Sequence, residues 1–266
     1  MSMPWVPALA DTPMLMRKTD HNVLALFSYL AASPSPLTSL ELSKLTGMHR
    51  ASVYRNLESL TKEGWLEAEG SPRRYGLTWS FRQLGLLARH HTPAHEVLMA
   101  YAVEMCRRLA APAYIGYYED GTYIASDVVH LIDGTPIGMP LGSRLFASCA
   151  SGGLILLAYQ DEEEIRRAAH LCVPRYTDKT FTDPDEITEI VHAARENGYA
   201  FNFGAVNRES GSFAVPVFDG RGIFASLGAN CGEEGPTDEA VAIAKDLALR
   251  ASRELGYRVS MRFAIG

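Results

Sequence analysis

Hydrophobic and polar positions fall into blocks with clear periods. Residues 22–31, NVLALFSYLA, carry apolar groups at 23, 24, 26, 27 and 30, which is helical spacing. SPSPL then breaks the run, and Thr38 and Glu41 stand in S/T-x-x-E register, the capping box that opens a second short helix bearing Leu40, Leu42 and Leu45. Gly47 suits the left-handed residue that stops a helix. A third helix is expected over 49–62, with Val53, Leu57 and Leu60 as its inward stripe. Trp65–Glu69 and Arg73–Thr78, around Gly70-Ser71-Pro72, read as a β-hairpin. Ser80–His91 spaces Phe81, Leu84, Leu87 and Ala88 for a further helix, ended by Thr92-Pro93.

Beyond Pro93 the pattern changes. One amphipathic helix over Pro93–Leu109 precedes a hairpin of Ala113–Tyr118 and Thr122–Val129, and Gly134–Leu145 reads as loop. Helices are expected at about 150–159, 161–170, 183–197 and 236–255, and strands at about 199–203, 211–218 and 223–230. Strands paired locally and rejoined by a later meander imply an antiparallel sheet with helices packed on it, an α+β arrangement.

Projecting the third helix at 100° per residue turns Ala51, Arg55 and Lys62 away from the core, flanked by Ser52 and Tyr54, with His49 and Arg50 at the amino end. A small residue allows close approach to a groove, and a guanidinium takes guanine O6 and N7 through two parallel hydrogen bonds. Helix, tight turn, helix and an Arg73-Arg74-tipped hairpin, in that order, describe a winged helix-turn-helix with 49–62 as recognition helix; the two wing arginines are expected at phosphate or the minor groove. A solvated three-helix bundle would explain each feature singly; the ordered set points to double-stranded DNA. Such a module touches a short half-site, so two copies and a quasi-palindromic operator are implied.

Charge supports this division. Residues 21–83 hold seven Lys/Arg against five Asp/Glu, residues 1–20 balance, and the net −6 of the 266-residue chain therefore places −8 on the rest. An acidic body behind a slightly basic front suits a nucleic-acid module joined to a domain that avoids phosphate. With 47 % hydrophobic and 21 % charged residues the chain is neither disordered nor collagen-like. No run approaches the ~20 apolar residues of a membrane helix. The first twenty residues lack the order of a signal peptide, and Cys106, Cys149, Cys172 and Cys231 are too scattered for a disulfide framework, so a cytoplasmic location without membrane association is expected.

The block LTSLELSKLTGMHRASVYRNLESLTKEGWLE with YGLTWSFRQLG, the turn LFASCASGGLILLA (145–158) and the run ARENGYAFNFGAVNRESGSFAVPVFDGRGIFASLGANCG (194–232) together resemble the IclR-type bacterial transcriptional regulators. The resemblance implies an arm (1–20), a winged helix-turn-helix (21–79), a linker helix (80–92) and a GAF-like effector-binding domain (93–266). It also implies homodimers or homotetramers that bind operator DNA and answer to a small metabolite. Ser148 stands where relatives often carry His, Leu154 replaces a Lys, and Gly228-Ala229-Asn230-Cys231 replaces Ser-x-Ser-Gly. The Gly-Tyr-x-x-Asn run at 198–202 resembles members that sense aromatic acids. By segment match Ser148, Ser151, Gly152, Asn202, Ser212 and Asn230 line the effector pocket, for which a small, anionic organic acid is the expected ligand; Leu145, Phe146 and Phe213 are expected as walls. The alternative for the Ser/Gly turn is that it only permits tight helix packing.

Other chemistry is weaker. His90, His91 and His95 form HH-x3-H, but Pro93 interrupts the helix that metal binding would need, so no metal and no cofactor are expected. Cys149 has no nearby base in sequence and reads as structural. No Walker loop, GxSxG or HExxH occurs. A small-molecule enzyme on the C-terminal portion, or a protein-interaction module with an accessory winged helix, remains the alternative to an effector-responsive regulator.

Overall fold

The computed structural model describes residues 22–90, 93–130 and 144–257, and the chain divides into two compact units, Met1–Thr92 and Pro93–Gly266. The arm expected over 1–20 lies outside the described residues.

The first unit contains α1 (Asn22–Ala32), β1 (Leu37–Thr38), α2 (Ser39–Thr46), α3 (Arg50–Lys62), β2 (Leu66–Glu69), β3 (Arg74–Leu77) and α4 (Trp79–His90). Local chemistry fixes the helix ends. Thr38 and Glu41 form both bonds of the capping box at α2, and Gly47 closes that helix at φ 69°. His49 caps α3, its side chain accepting from the Ala51 amide. Leu26, Leu30, Leu42, Val53, Leu57, Leu66 and Tyr75 build one core from every element except β1 and α4. The hairpin is wider than expected: β3 pairs with β2 on one side and with Leu37–Thr38 on the other, so the segment following the prolines adds a third, antiparallel strand. The helix expected as a linker is tied to this unit at its start, where the Phe81 and Phe27 ring centroids lie 4.6 Å apart.

Among the described residues the second unit holds a six-stranded antiparallel sheet in the order β6-β5-β4-β9-β8-β7. Its strands are β4 (Ala113–Glu119), β5 (Thr122–Val129), β6 (Arg144–Phe146), β7 (Ala200–Phe203), β8 (Gly211–Asp219) and β9 (Gly222–Cys231); its helices are α5 (Pro93–Leu109), α6 (Ser151–Leu157), α7 (Glu162–Ala169), α8 (Pro184–Asn197) and α9 (Asp238–Glu254). Alternation along the strands gives the sheet two apolar faces. Ile115, Phe213, Val215, Val217, Leu227 and Ala229 pack with α5 and α9. Tyr123, Ala125, Ala200 and Ala214 pack with α6, α7 and α8. Two expectations need correction. Leu145 belongs to β6, because Arg144–Phe146 finds ladder partners in Thr122–Ile124. Phe213 faces the α5/α9 core and so cannot wall a pocket on the side of its neighbour Ser212.

Candidate nucleic-acid interface and polar row

The buried stripe Val53 and Leu57 orients α3, so the opposite side is presented outward by default. His49, Arg50, Ala51, Tyr54 and Arg55 are exposed, and Ser52 is half-buried. An open groove of about 680 Å³ runs between the start of α2, the start of α3 and the wing. It brings together His49, Arg50, Ala51, Tyr54 and Arg73; Ser52, Arg55 and Arg74 lie outside its lining. Arg50 and Arg55 take part in no ion pair among the described residues, which leaves both guanidiniums available.

The wing arginines are engaged within the unit itself. Arg73 Nη1 donates to both Glu58 oxygens, at 3.0 and 3.1 Å. Arg74 Nη1 donates to the Pro36 carbonyl at 2.8 Å and lies 3.6 Å from Glu41. Both side chains keep about half their surface open, 47 % and 46 %. Sequence reasoning found the arginines but not their carboxylate partners, which sit 15 or more residues away and share no local pattern with them.

In the second unit the strand registers assemble a polar row. Asn202 of β7 pairs with Ser212 of β8, which pairs with Asn230 of β9. Ser151, at the start of α6, places its hydroxyl 2.8 Å from that of Ser212. Tyr114 of β4 donates its hydroxyl to Asn230 Oδ1 at 2.5 Å. Tyr114 was absent from the sequence-based set. The bond spans 116 residues, and only the antiparallel neighbouring of β4 and β9 brings its ends together. Asn202 is 6 % exposed, and its Nδ2 is buried with no acceptor among the described residues. A buried amide donor without a partner is uncommon and calls for a cause.

The remaining sequence-predicted residues have different surroundings. Gly152 is a packing residue: a Cβ there would lie 2.5 Å from Tyr123 Cε2 and 2.8 Å from Ser226 Oγ. Ser148 is buried in the turn before α6 and hydrogen-bonds Cys149; no hydrogen bond joins it to the polar row among the described residues. Burial pushes the Cys149 thiol up to about 12, outweighing the Ser148 hydrogen bond, so a thiolate is not available at neutral pH. His95 Nδ1 lies 3.4 Å from Asp127 Oδ2, while the side chains of His90 and His91 lie outside the description. Among the described residues no cluster of three or more His, Cys, Asp or Glu could hold a metal, and no helix is long and apolar enough to cross a membrane.

Two sequence families match this layout, each within one unit. The IclR helix-turn-helix domain matches residues 21–70, and the bacterial transcriptional regulator IclR C-terminal domain matches residues 96–229. The chain belongs to the IclR family of bacterial transcriptional regulators. Among IclR relatives, the HTH-type transcriptional regulator KipR of Bacillus subtilis is 27 % identical over 251 residues, covering 90 % of this chain and 98 % of KipR. An IclR transcriptional regulator of Silicibacter superposes with a TM-score of 0.77 at 20 % identity, covering 91 % of this chain and 98 % of that one. An IclR homolog of Microbacterium hydrocarbonoxydans, solved in complex with 4-hydroxybenzoate, gives 0.75 at 18 % identity, covering 88 % and 97 %. IclR regulators bind operator DNA and small-molecule effectors, and this chain has the matching DNA-binding helix-turn-helix and C-terminal effector domain. Its relatives are transcriptional regulators, which removes the enzyme alternative.

Proposed function

We propose that this IclR-family regulator reads its operator with the outward side of α3, and that a small organic acid bound at the Asn202–Ser212–Asn230 row alters that binding. At the interface, His49, Arg50, Ala51, Ser52, Tyr54 and Arg55 face the major groove, and Arg73 and Arg74 flank it from the wing. Two copies, as a homodimer or as half of a homotetramer, supply the two half-sites. Helix α4 links the two functions: ligand binding selects one geometry of the pair and so resets the separation of the recognition helices. Half-sites lie about one helical turn apart or multiples of it, so shifts of a few ångströms matter.

One observation carries the effector half: the buried, unpartnered Nδ2 of Asn202. A carboxylate or carbonyl oxygen satisfies it, the neighbouring Ser212 and Ser151 hydroxyls supply further polar contacts that orient a ligand, and Tyr114 holds Asn230 at the far end of the row. An aromatic acid is favoured by the Gly-Tyr-x-x-Asn run at 198–202 and by the 4-hydroxybenzoate held by the Microbacterium relative. Ser148 and Gly152 belong to the supporting turn. Calorimetric titration of the full chain with 4-hydroxybenzoate and a panel of aromatic and aliphatic keto acids tests this. Binding of at least one acid, lost in Ser151→Tyr together with ligand-dependent DNA release, is the expected result. No binding across the panel, with Ser151→Tyr releasing DNA as the parent does, overturns it.

A further inference from the structure

One residue on the outward side of α3 carries the wrong sign for a phosphate-rich partner. Glu58 follows Tyr54 by one turn and shares its side of the helix with Arg55 and Lys62. Its carboxylate is engaged on both oxygens, accepting from Arg73 Nη1 on each and from the Tyr75 hydroxyl at 2.9 Å. Tyr75 is 1 % exposed, and its ring lies beneath the Arg73 guanidinium, 5.8 Å from centroid to Cζ. The core therefore fixes Tyr75, Tyr75 fixes Glu58, and Glu58 fixes Arg73.

Given the DNA-reading role proposed above, we propose that Glu58 is a specificity-determining positioning residue: it holds Arg73 against α3 before DNA arrives and withholds that guanidinium from indiscriminate phosphate pairing. The Arg73 and Glu58 side chains are 47 % and 36 % exposed, and such a pair contributes little stability. Its effect is on placement and charge. If Arg73 swings to a phosphate, a carboxylate is left beside DNA without its cation, keeping only the Tyr75 hydroxyl as donor. That penalty lifts where a base edge offers Glu58 a replacement donor, and cytosine N4 is the donor a carboxylate takes in the major groove. Non-specific sites then gain nothing from Arg73, while the cognate site does.

The test compares two duplexes of equal length and composition, one selected by the full chain from a randomised library and one scrambled. Binding is titrated at several salt concentrations for the parent, Glu58→Gln, Arg73→Ala and the double variant. Glutamine keeps the volume and an acceptor oxygen but removes the charge. On scrambled DNA, Glu58→Gln steepens the salt slope by about 0.9, so that going from about 50 to 200 mM salt costs it roughly 3–4-fold more affinity than the parent. Its selected-to-scrambled affinity ratio falls several-fold, and the extra slope vanishes in the double variant. Arg73→Ala alone leaves the parent slope on scrambled DNA unchanged. A parental slope and ratio in Glu58→Gln, an extra slope that survives in the double variant, or a slope reduced by about 0.9 in Arg73→Ala alone overturns the role of Glu58. Failure of the parent chain to select any duplex overturns the interface itself.

Discussion

Asn202→Leu replaces an unpartnered buried donor with an apolar side chain of similar length. Asn202 is 6 % exposed and its Nδ2 meets no acceptor among the described residues, so the free chain carries the desolvation cost of that group, about 1–3 kcal/mol. Leucine removes the cost and adds buried apolar surface. Part of the gain is offset by fitting a branched tip between Ser212 and the α6 side of the sheet. The expected net effect is a stabilisation of about 1–2 kcal/mol; at roughly 2–4 °C per kcal/mol for a domain of this size, that raises the transition of the C-terminal unit by about 2–8 °C. Scanning calorimetry reads it, while fluorescence of Trp65 and Trp79 follows the N-terminal unit separately. The same variant loses the thermal shift given by an aromatic acid, because the donor that would meet the ligand has gone. Stability gained with binding lost is the mark of a site that stores cost for function. A ligand-free melting temperature below the parent's, or an unchanged ligand shift, would refute the reasoning.

The remaining expectations concern packing, pH and charge. Gly152→Ala forces a methyl to within 2.5 Å of the Tyr123 ring and should cost about 1–3 kcal/mol in urea unfolding; an unchanged midpoint would show that α6 is free to lift away. Glu164 is held below the usual carboxylate range, first by the Arg167 hydrogen bond, with Tyr118 also donating to it, and so ties α7 to the β4–β5 hairpin. Its stabilisation is present above the ordinary glutamate pKa and disappears as pH falls through the lowered folded value, so Glu164→Gln should lower the melting temperature at neutral pH by a margin that narrows steadily as the pH is taken below the ordinary glutamate pKa; a gap that does not narrow in acid contradicts this. Arg74 shares Glu41 with Thr38, which already donates to that carboxylate through its backbone N–H and its hydroxyl. Arg74→Ala should therefore weaken DNA binding evenly across sequences and reduce the salt slope by about 0.9, and a sequence-dependent loss would speak against a phosphate contact.

What the chain declares about itself follows the range of the forces involved. The capping box at Thr38 and Glu41, the left-handed Gly47 and the Val53–Leu57 stripe act within one or two turns, so helix ends and the outward side of α3 are visible in the sequence. The edge strand Arg144–Phe146 was hidden because its ladder depends on a partner strand more than twenty residues earlier, beyond a Gly- and Pro-rich run. Phe213 was placed in the wrong wall because the alternation of β8 decides its side, and Ser212 next to it necessarily faces the other way. In the polar row, residue types suggested Ser151, Asn202, Ser212 and Asn230, while the bond from Tyr114 exists only through sheet order. Gly152 shows how a glycine in a small-residue turn reads equally as ligand cradle and as packing until the distance to Tyr123 is known.

The central claim is that α3 reads base edges, and Arg55 tests it most directly. The full chain and Arg55→Ala are each used to select duplexes from a randomised library, and the affinities of the selected and single-base-changed sites are measured. The account predicts that Arg55→Ala loses about 1–3 kcal/mol on the parent's preferred duplex and relaxes its preference at one position in each half-site, leaving the other positions intact. An identical selected sequence bound with parental affinity would contradict it.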